Sequence, residues 1–334
     1  MPARKIPARS GKAKSRTSKK GVLVVGGIII DLIARSDKFK LSDGNICFPF
    51  DSKITLKELR EDIGGSAHNA AANLAKLGTK TYILGAVGKG DYGEEALKNL
   101  RVHGVNIKYA VLKEGTTGIS MVFLVNGEKT ILTNRGANEF LGQKDLNPEI
   151  FDKIGTMVLT SLNSHENIKL LKKCVGEAKK RGISIVMNPS MSMVVNRPGE
   201  LRRTMKNSRV IIMNGKESCV ITGKKDAESA IKALKKYGAE TVIITQDAKG
   251  SLVAENGEIF KVPSFRVKVV DTTGGGDSFT AGFIHAKGRG CETRKAVRFA
   301  SAVAALNIAT PGASTDLPSE KEVLAFMRRA KHNA

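Results

Sequence analysis

Short runs of β-branched and aliphatic residues recur along this chain, and the gaps between them are about as long as a helix. Residues 21–30 (GVLVVGGIII) form the first run, which predicts a buried strand because strands covered on both faces read as continuous apolar stretches. Residues 66–77 are Ala-rich, with Leu74 and Leu77 at helical spacing and Gly78 placed as a C-terminal cap. Residues 80–87 predict a second strand and 92–102 a helix; further strands are expected near 156–161, 183–188, 209–213 and 241–245, with helices between. Such alternation implies a mainly parallel sheet with helices on both faces, an α/β fold. Two segments break the rhythm. Residues 37–59 are polar and irregular around Pro49, and residues 118–134 hold two strand-like runs around Asn126-Gly127, a hairpin signal. That hairpin suits an edge ribbon and a flap over a polar site equally.

Composition bounds the function. With 334 residues, 41% of them hydrophobic and 26% charged, the chain has ample core material and is not a disordered polymer. No stretch approaches ~18 consecutive apolar residues, so no membrane helix is expected. Four separated cysteines (Cys47, Cys174, Cys219, Cys291) fit reduced cytoplasmic thiols better than a disulfide framework. The unusual number is a net charge of +23, from 55 Lys and Arg against 32 Asp and Glu. Residues 1–20 carry eight cations and no acid, which leaves 47 against 32, or +15, for the rest. This tail lacks large apolar side chains and is expected to be disordered. It has no apolar core of a secretory signal and no amphipathic pattern of a transit peptide. A solubilising extension and a weak nucleic-acid arm both fit, and composition favours the first.

Among 34 glycines some motifs arise by chance. Gly88-Lys-Gly90-Asp-Tyr-Gly93 matches G-x-G-x-x-G, yet it does not follow the first strand, and a tight turn explains it better than a dinucleotide site. No P-loop occurs: Gly215-Lys216-Glu217 and Gly223-Lys224-Lys225 lack the hydroxyl residue. The stronger loop is Asp271-Thr-Thr-Gly-Gly-Gly-Asp277, after the strand-like 267–270 and before an apolar helical segment. Gly274, Gly275 and Gly276 let backbone N–H groups approach an anion at a helix N-terminus, as a transferring phosphoryl group requires. Asp277 beside them reads either as a base for an attacking hydroxyl, kept ionised by those N–H groups, or as a helix cap. Asp271 reads as a cation ligand or as the end of a strand. A second loop, Gly64-Gly65-Ser-Ala-His68-Asn69, opens a helix; Asn69 suits a sugar hydroxyl or a capping role. The five histidines show no metal-ligand spacing.

Taken together, Gly64-Gly65-x-x-x-Asn69-x-Ala71 and Asp271-Thr-Thr-Gly-x-Gly-Asp277 resemble the paired motifs of the PfkB, or ribokinase-like, carbohydrate kinases, over about residues 21 to 329. The resemblance implies a ribokinase-like three-layer α/β sandwich with a small β-lid, whose places are 37–59 and 118–134. It implies transfer of the γ-phosphoryl of ATP, with Mg²⁺, to a sugar hydroxyl. Asp277 matches the base and Gly274, Gly275 and Gly276 the anion hole. Asp31, after the first strand, with Gly65 and Asn69, matches sugar contacts. Asn214-Gly-Lys-Glu217 matches an element that places Mg²⁺ and phosphate, Glu217 through water. Thr245, Gly250, Asn307 and Gly312 match the adenine side, and Asp271 and Thr273 match positions that hold a monovalent cation such as K⁺. Two departures stand out: Gly275 where alanine is usual, and His68, in or near the sugar pocket. The motifs fit a ribose-like or hexose kinase and a nucleoside kinase; a lid-to-lid homodimer is a further expectation. A non-catalytic nucleic-acid-binding protein fits less well, because aromatics are 5% and tryptophan is absent.

Overall fold

The computed structural model describes residues 20–125 and 128–330. The basic tail up to residue 19 and the Asn126-Gly127 turn lie outside the described residues. Eight strands form the central sheet, in the order Glu258–Val262, Ser251–Glu255, Thr241–Thr245, Val210–Asn214, Ser184–Met187, Ile154–Leu159, Gly21–Val25 and Thr81–Leu84. The last six are mutually parallel, and the first two extend the sheet as an antiparallel hairpin. Both faces are covered, which is why these strands lack polar alternation. Along Gly21–Val25, Val22 and Val24 enter one core with Ile83, Ile212, Ile243, Phe279 and Phe283. Leu23 and Val25 enter the other with Leu84, Ile211, Leu171 and Met187. The α/β expectation and the ribokinase-like three-layer arrangement both hold.

The first apolar run is not one strand. It divides at Gly26, whose φ is 152° and whose Cβ, had it one, would overlap Thr160 Oγ1. Asn138 then grips the backbone of Ile28, accepting from its N–H at 3.0 Å and donating to its C=O at 2.8 Å. The chain leaves the central sheet there, and Ile29–Arg35 joins a second sheet. Asp31, which follows the first strand as expected, therefore lies within a strand of that second sheet. Residues 80–87 divide similarly at Gly85 into Thr81–Leu84 and Ala86–Gly88. The 267–270 run forms no strand; the N–H groups of Val270 and Asp271 both go to the Ile308 carbonyl, at 2.8 and 3.2 Å.

The second sheet has the order Glu128–Asn134, Gly118–Val125, Ile29–Arg35, Glu58–Gly64. Between its strands, residues 37–59 carry a short hairpin, Lys40–Ser42 with Asn45–Cys47. Phe39, Phe48 and Phe123 cluster there with ring centroids 5.1 to 5.6 Å apart.

Helices Ser66–Lys76, Gly275–Gly288 and Thr293–Ile308 cover one face of the central sheet, sharing its core through Ala71, Phe283 and Ala300. Their close approach depends on Gly282, where a Cβ would sit 2.9 Å from Ala300 Cα and from Val303 Cγ2. Gly282→Ala should therefore cost about 1–3 kcal/mol through overpacking. Gly176→Ala, on an exposed helical face with nothing within 4 Å, should instead gain about 0.5–1 kcal/mol. Denaturant midpoints of the two variants check the contrast; equal shifts would refute it.

Candidate functional site

Two helix N-termini meet beside the second sheet. Helix Gly275–Gly288 starts from Gly274, held at φ 75° against Ala313, and no side chain caps it. Its first-turn N–H groups, those of Gly275, Gly276 and Asp277, have no partner one turn back. Gly275 N–H leans toward Thr272 C=O at 3.4 Å. A Cβ at Gly276 would meet nothing within 4 Å, so this turn opens onto free space, a cradle of amides for an anion. At Gly275, by contrast, a Cβ would lie 3.0 Å from Ile308 Cγ2. An alanine methyl there would need Ile308 to give by a few tenths of an ångström.

Helix Ser66–Lys76 starts from Gly65, where φ is 95° and a Cβ would lie 2.5 Å from the Gly27 carbonyl oxygen. That carbonyl accepts from Ala67 and His68 N–H, so Gly65 is demanded by a backbone crossing. One turn on, Asn69 Nδ2 donates to Asp277 Oδ2 at 3.1 Å. Asp277 is therefore bonded across the cleft and does not cap its own helix. Burial pushes its carboxyl up to about 7, against the Asn69 hydrogen bond, with Glu217 and Asp31 adding like-charge repulsion. The expectation that local N–H groups keep Asp277 ionised at neutral pH is thus corrected: desolvation wins, and the hydrogen bond that favours the charged form comes from Asn69 instead.

The second sheet presents a polar row to this point. Register places Thr133 opposite Ser120, Ser120 opposite Asp31 and Asp31 opposite Asp62, so all four side chains share one face. Ser120 and Thr133 hydroxyls are 3.1 Å apart. Burial raises Asp31 to about 6, opposed by a Ser120 hydrogen bond and the Lys129 charge, and reinforced by Asp62 and Asp271. Asp62, Arg60, Ser120 and Lys129 escaped the sequence reading; the alternation in Glu58–Gly64 was the available signal for the first two.

Arg60 bridges the second sheet to the glycine loop, 3.1 Å from Asp62 and 3.3 Å from Asp271. Asp271 also accepts from Thr273 N–H at 2.9 Å and Gly312 N–H at 3.3 Å. Although burial pushes Asp271 up, hydrogen bonds from Thr273 and Gly312 and the Lys129 charge hold it below the usual range. Lys129 Nζ lies 3.1 Å from Thr273 Oγ1. The side chains of Asp271 and Thr273 are thus already met by two fixed cations, and as arranged they do not fit a K⁺ ion.

Asn214 and Glu217 form a capping box: Glu217 N–H donates to Asn214 Oδ1 at 2.8 Å and Asn214 N–H to Glu217 Oε2 at 3.0 Å. Burial raises Glu217 despite bonds from the Asn214 and Met191 backbone. Glu217 and Asp277 are two buried acids that repel, an arrangement a hydrated dication relieves. Among the described residues no group of three or more His, Cys, Asp or Glu could hold a metal alone. Thr245 pairs with Asn214 at the ends of adjacent parallel strands. Gly250 is a turn glycine at φ 86°, packed on the Val262 carbonyl. Asn307 is buried and donates to Ala313 C=O at 3.1 Å. Gly312 touches Asp271 and Asp62. His68 is fully buried, its ring between Asn69 and Asn99 of the Asp91–Val102 helix.

Residues 19–320 match the pattern of the pfkB family carbohydrate kinases. The chain is 28% identical over 305 residues to a ribokinase of Haemophilus influenzae, covering 86% of this chain and 96% of that one. The crystal structure of a ribokinase from Thermotoga maritima superposes with a TM-score of 0.80 at 23% identity, covering 93% and 100% of the two chains. That of Arabidopsis thaliana ribokinase complexed with ribose and ATP gives 0.76 at 27%, covering 92% and 99%.

The raised Asp277 carboxyl has a stability signature. A folded state that favours the protonated acid loses stability as pH rises from about 4 through about 7. Asp277→Asn removes that loss, so the variant's advantage in thermal midpoint should grow by roughly 2 kcal/mol, a few degrees, between pH 5 and pH 8. An advantage independent of pH would contradict it.

Proposed function

The chain belongs to the pfkB family of carbohydrate kinases, and we propose that it phosphorylates a hydroxyl of a neutral ribose-like or hexose sugar, with ATP as donor. The observation that carries this reading is Asp277, bonded by Asn69 beside an open amide cradle and close enough to Asp31 to feel its charge.

Asn69 occupies Asp277 Oδ2, so the substrate hydroxyl meets Oδ1. As the hydroxyl oxygen attacks the γ-phosphorus, its proton passes to Oδ1, the bond to the β-phosphate oxygen breaks, and ADP leaves. The N–H groups of Gly275 and Gly276 supply fixed donors for charge on the transferring group. Glu217 and Asn214 stand on the Mg²⁺ side; Mg²⁺, when bound, neutralises the phosphates and polarises the bond that breaks. Thr245 lies next to them, on the side assigned to the nucleotide.

The row Asp31, Asp62, Ser120 and Thr133 favours a sugar over a nucleoside: carboxylates and hydroxyls hold vicinal hydroxyl groups, whereas a base needs an apolar or aromatic slot. On this reading the second sheet is the lid. Its opposite face exposes Leu59, Met121 and Leu132, a surface suited to a two-fold lid-to-lid dimer. The four cysteines are unpaired, as a reducing cytoplasm would keep them.

Two outcomes are expected. Asp277→Asn should lower kcat at least ~10³-fold with ATP binding retained, and wild-type kcat/KM should rise with pH through about 7. A panel of sugars and nucleosides with Mg·ATP should show turnover with sugars; near-normal turnover by the variant, or turnover of nucleosides alone, would overturn the reading. Separately, Met121→Asp combined with Leu132→Asp should convert a dimer into a monomer by light scattering. A monomeric wild type would refute the lid-to-lid contact.

A further inference from the structure

His68 stands in the Gly64–Asn69 motif, and its own contacts are to two amides. Its imidazole is fully buried, between two amides. Nδ1 lies 3.4 Å from Asn69 Oδ1, and Nε2 lies 3.1 Å from Asn99 Oδ1 on helix Asp91–Val102. Asn69 in turn donates from Nδ2 to Asp277. A file of polar groups therefore runs from Asn99 through His68 and Asn69 to Asp277.

We propose that His68 is a positioning residue that fixes the orientation of the Asn69 amide, and through it the hydrogen bond received by Asp277. The inference rests on the reading of Asp277 as the base.

Donor and acceptor bookkeeping makes the file directional. An ionised Asp277 only accepts, so Asn69 must turn its –NH₂ toward it and its oxygen toward His68. That oxygen only accepts, so Nδ1 must carry a proton. Burial holds the ring neutral near pH 7, pulling it down to about 4 against weak support from Asn69 and Asn99; the charged-state neighbour is His103, which adds to the lowering. A neutral ring with Nδ1–H leaves Nε2 as an acceptor. Asn99, whose Oδ1 faces Nε2 at 3.1 Å in this structure, must then turn its amide over to present –NH₂ to Nε2, the two ends being alike in shape. The opposite tautomer would set the Nδ1 lone pair against the Asn69 oxygen. Asn69 would turn over, aim its oxygen at the Asp277 carboxylate, and push that acid further up.

The groups acting on Asp277 are Asn69, Glu217 and Asp31, and His68 controls the one that favours ionisation. Asparagine at 68 places an amide nitrogen where Nδ1 stands, whereas glutamine reaches toward the Nε2 position.

Nitrogen-15 NMR of the ring in the ligand-free, full-length chain at pH 7–8 should find His68 protonated on Nδ1 alone. An Nε2–H tautomer or a doubly protonated ring would overturn the proposal. Carbon-13 NMR of the Asp277 carboxyl, assigned by its loss in Asp277→Asn, adds a second test. His68→Asn should titrate as wild type does, near 7, while His68→Gln should titrate about one unit higher. An unmoved midpoint in a folded His68→Gln variant would also overturn it, since a purely structural histidine would alter melting temperature without moving that midpoint. If His68→Gln does not fold, the wild-type tautomer decides. Both readouts need no substrate, so a wrong acceptor sugar or a dispensable Asp277 in turnover would be seen separately.

Discussion

One hydrogen bond joins two helix starts that lie far apart in the chain. Asn69 and Asp277, 208 positions apart, meet at 3.1 Å, and each sits in the first turn of a helix whose glycine start is fixed by contact with a neighbouring element. Gly65 crosses over Gly27, and Gly274 lies against Ala313. The central sheet makes this meeting reproducible, because both helices cover the same face and share the core containing Phe279 and Leu74. A carboxylate in such a place is expensive to keep charged. The structure accepts that cost at Asp277, Asp31 and Glu217 together, which gathers three acids that take up protons more readily than free carboxyls.

The second sheet answers part of that charge from the other side. Arg60 sits between Asp62 and Asp271, and Lys129 sits on Thr273. These contacts tie a separate sheet to the loop that precedes Asp277, so its position and the electrostatics of the loop are one variable. The large surplus of positive charge in the chain contributes little at this spot by comparison. Two placed cations matter here, and distance and screening discount the rest.

The sequence made the parallel sheet and both glycine loops legible, because each rests on a local rule: continuous apolar runs for doubly covered strands, and glycine where a Cβ cannot fit. What escaped it depended on partners remote in sequence. The 21–30 run reads as a single strand until Thr160 and Asn138 are seen to force a departure at Gly26–Ile28. The β-branched 267–270 segment has strand propensity, but its last N–H groups are taken by Ile308, and tertiary contact overrides propensity. Asp62 and Arg60 reach the site only through strand register, which no single segment contains. The contact of His68 with Asn99 on the Asp91–Val102 helix is likewise invisible in its own segment.

Ile308 serves the glycine loop twice. Its carbonyl receives the N–H groups of Val270 and Asp271, and its Cγ2 fills the space next to Gly275. The two positions are therefore tied in descent as well as in space. A methyl gained at 275 presses on Ile308 Cγ2 and needs that side chain to give by a few tenths of an ångström, which a slimmer residue at 308 makes unnecessary. Homologous sequences should therefore show the two positions changing together, with glycine at 275 favoured beside a bulky neighbour and alanine beside a slimmer one.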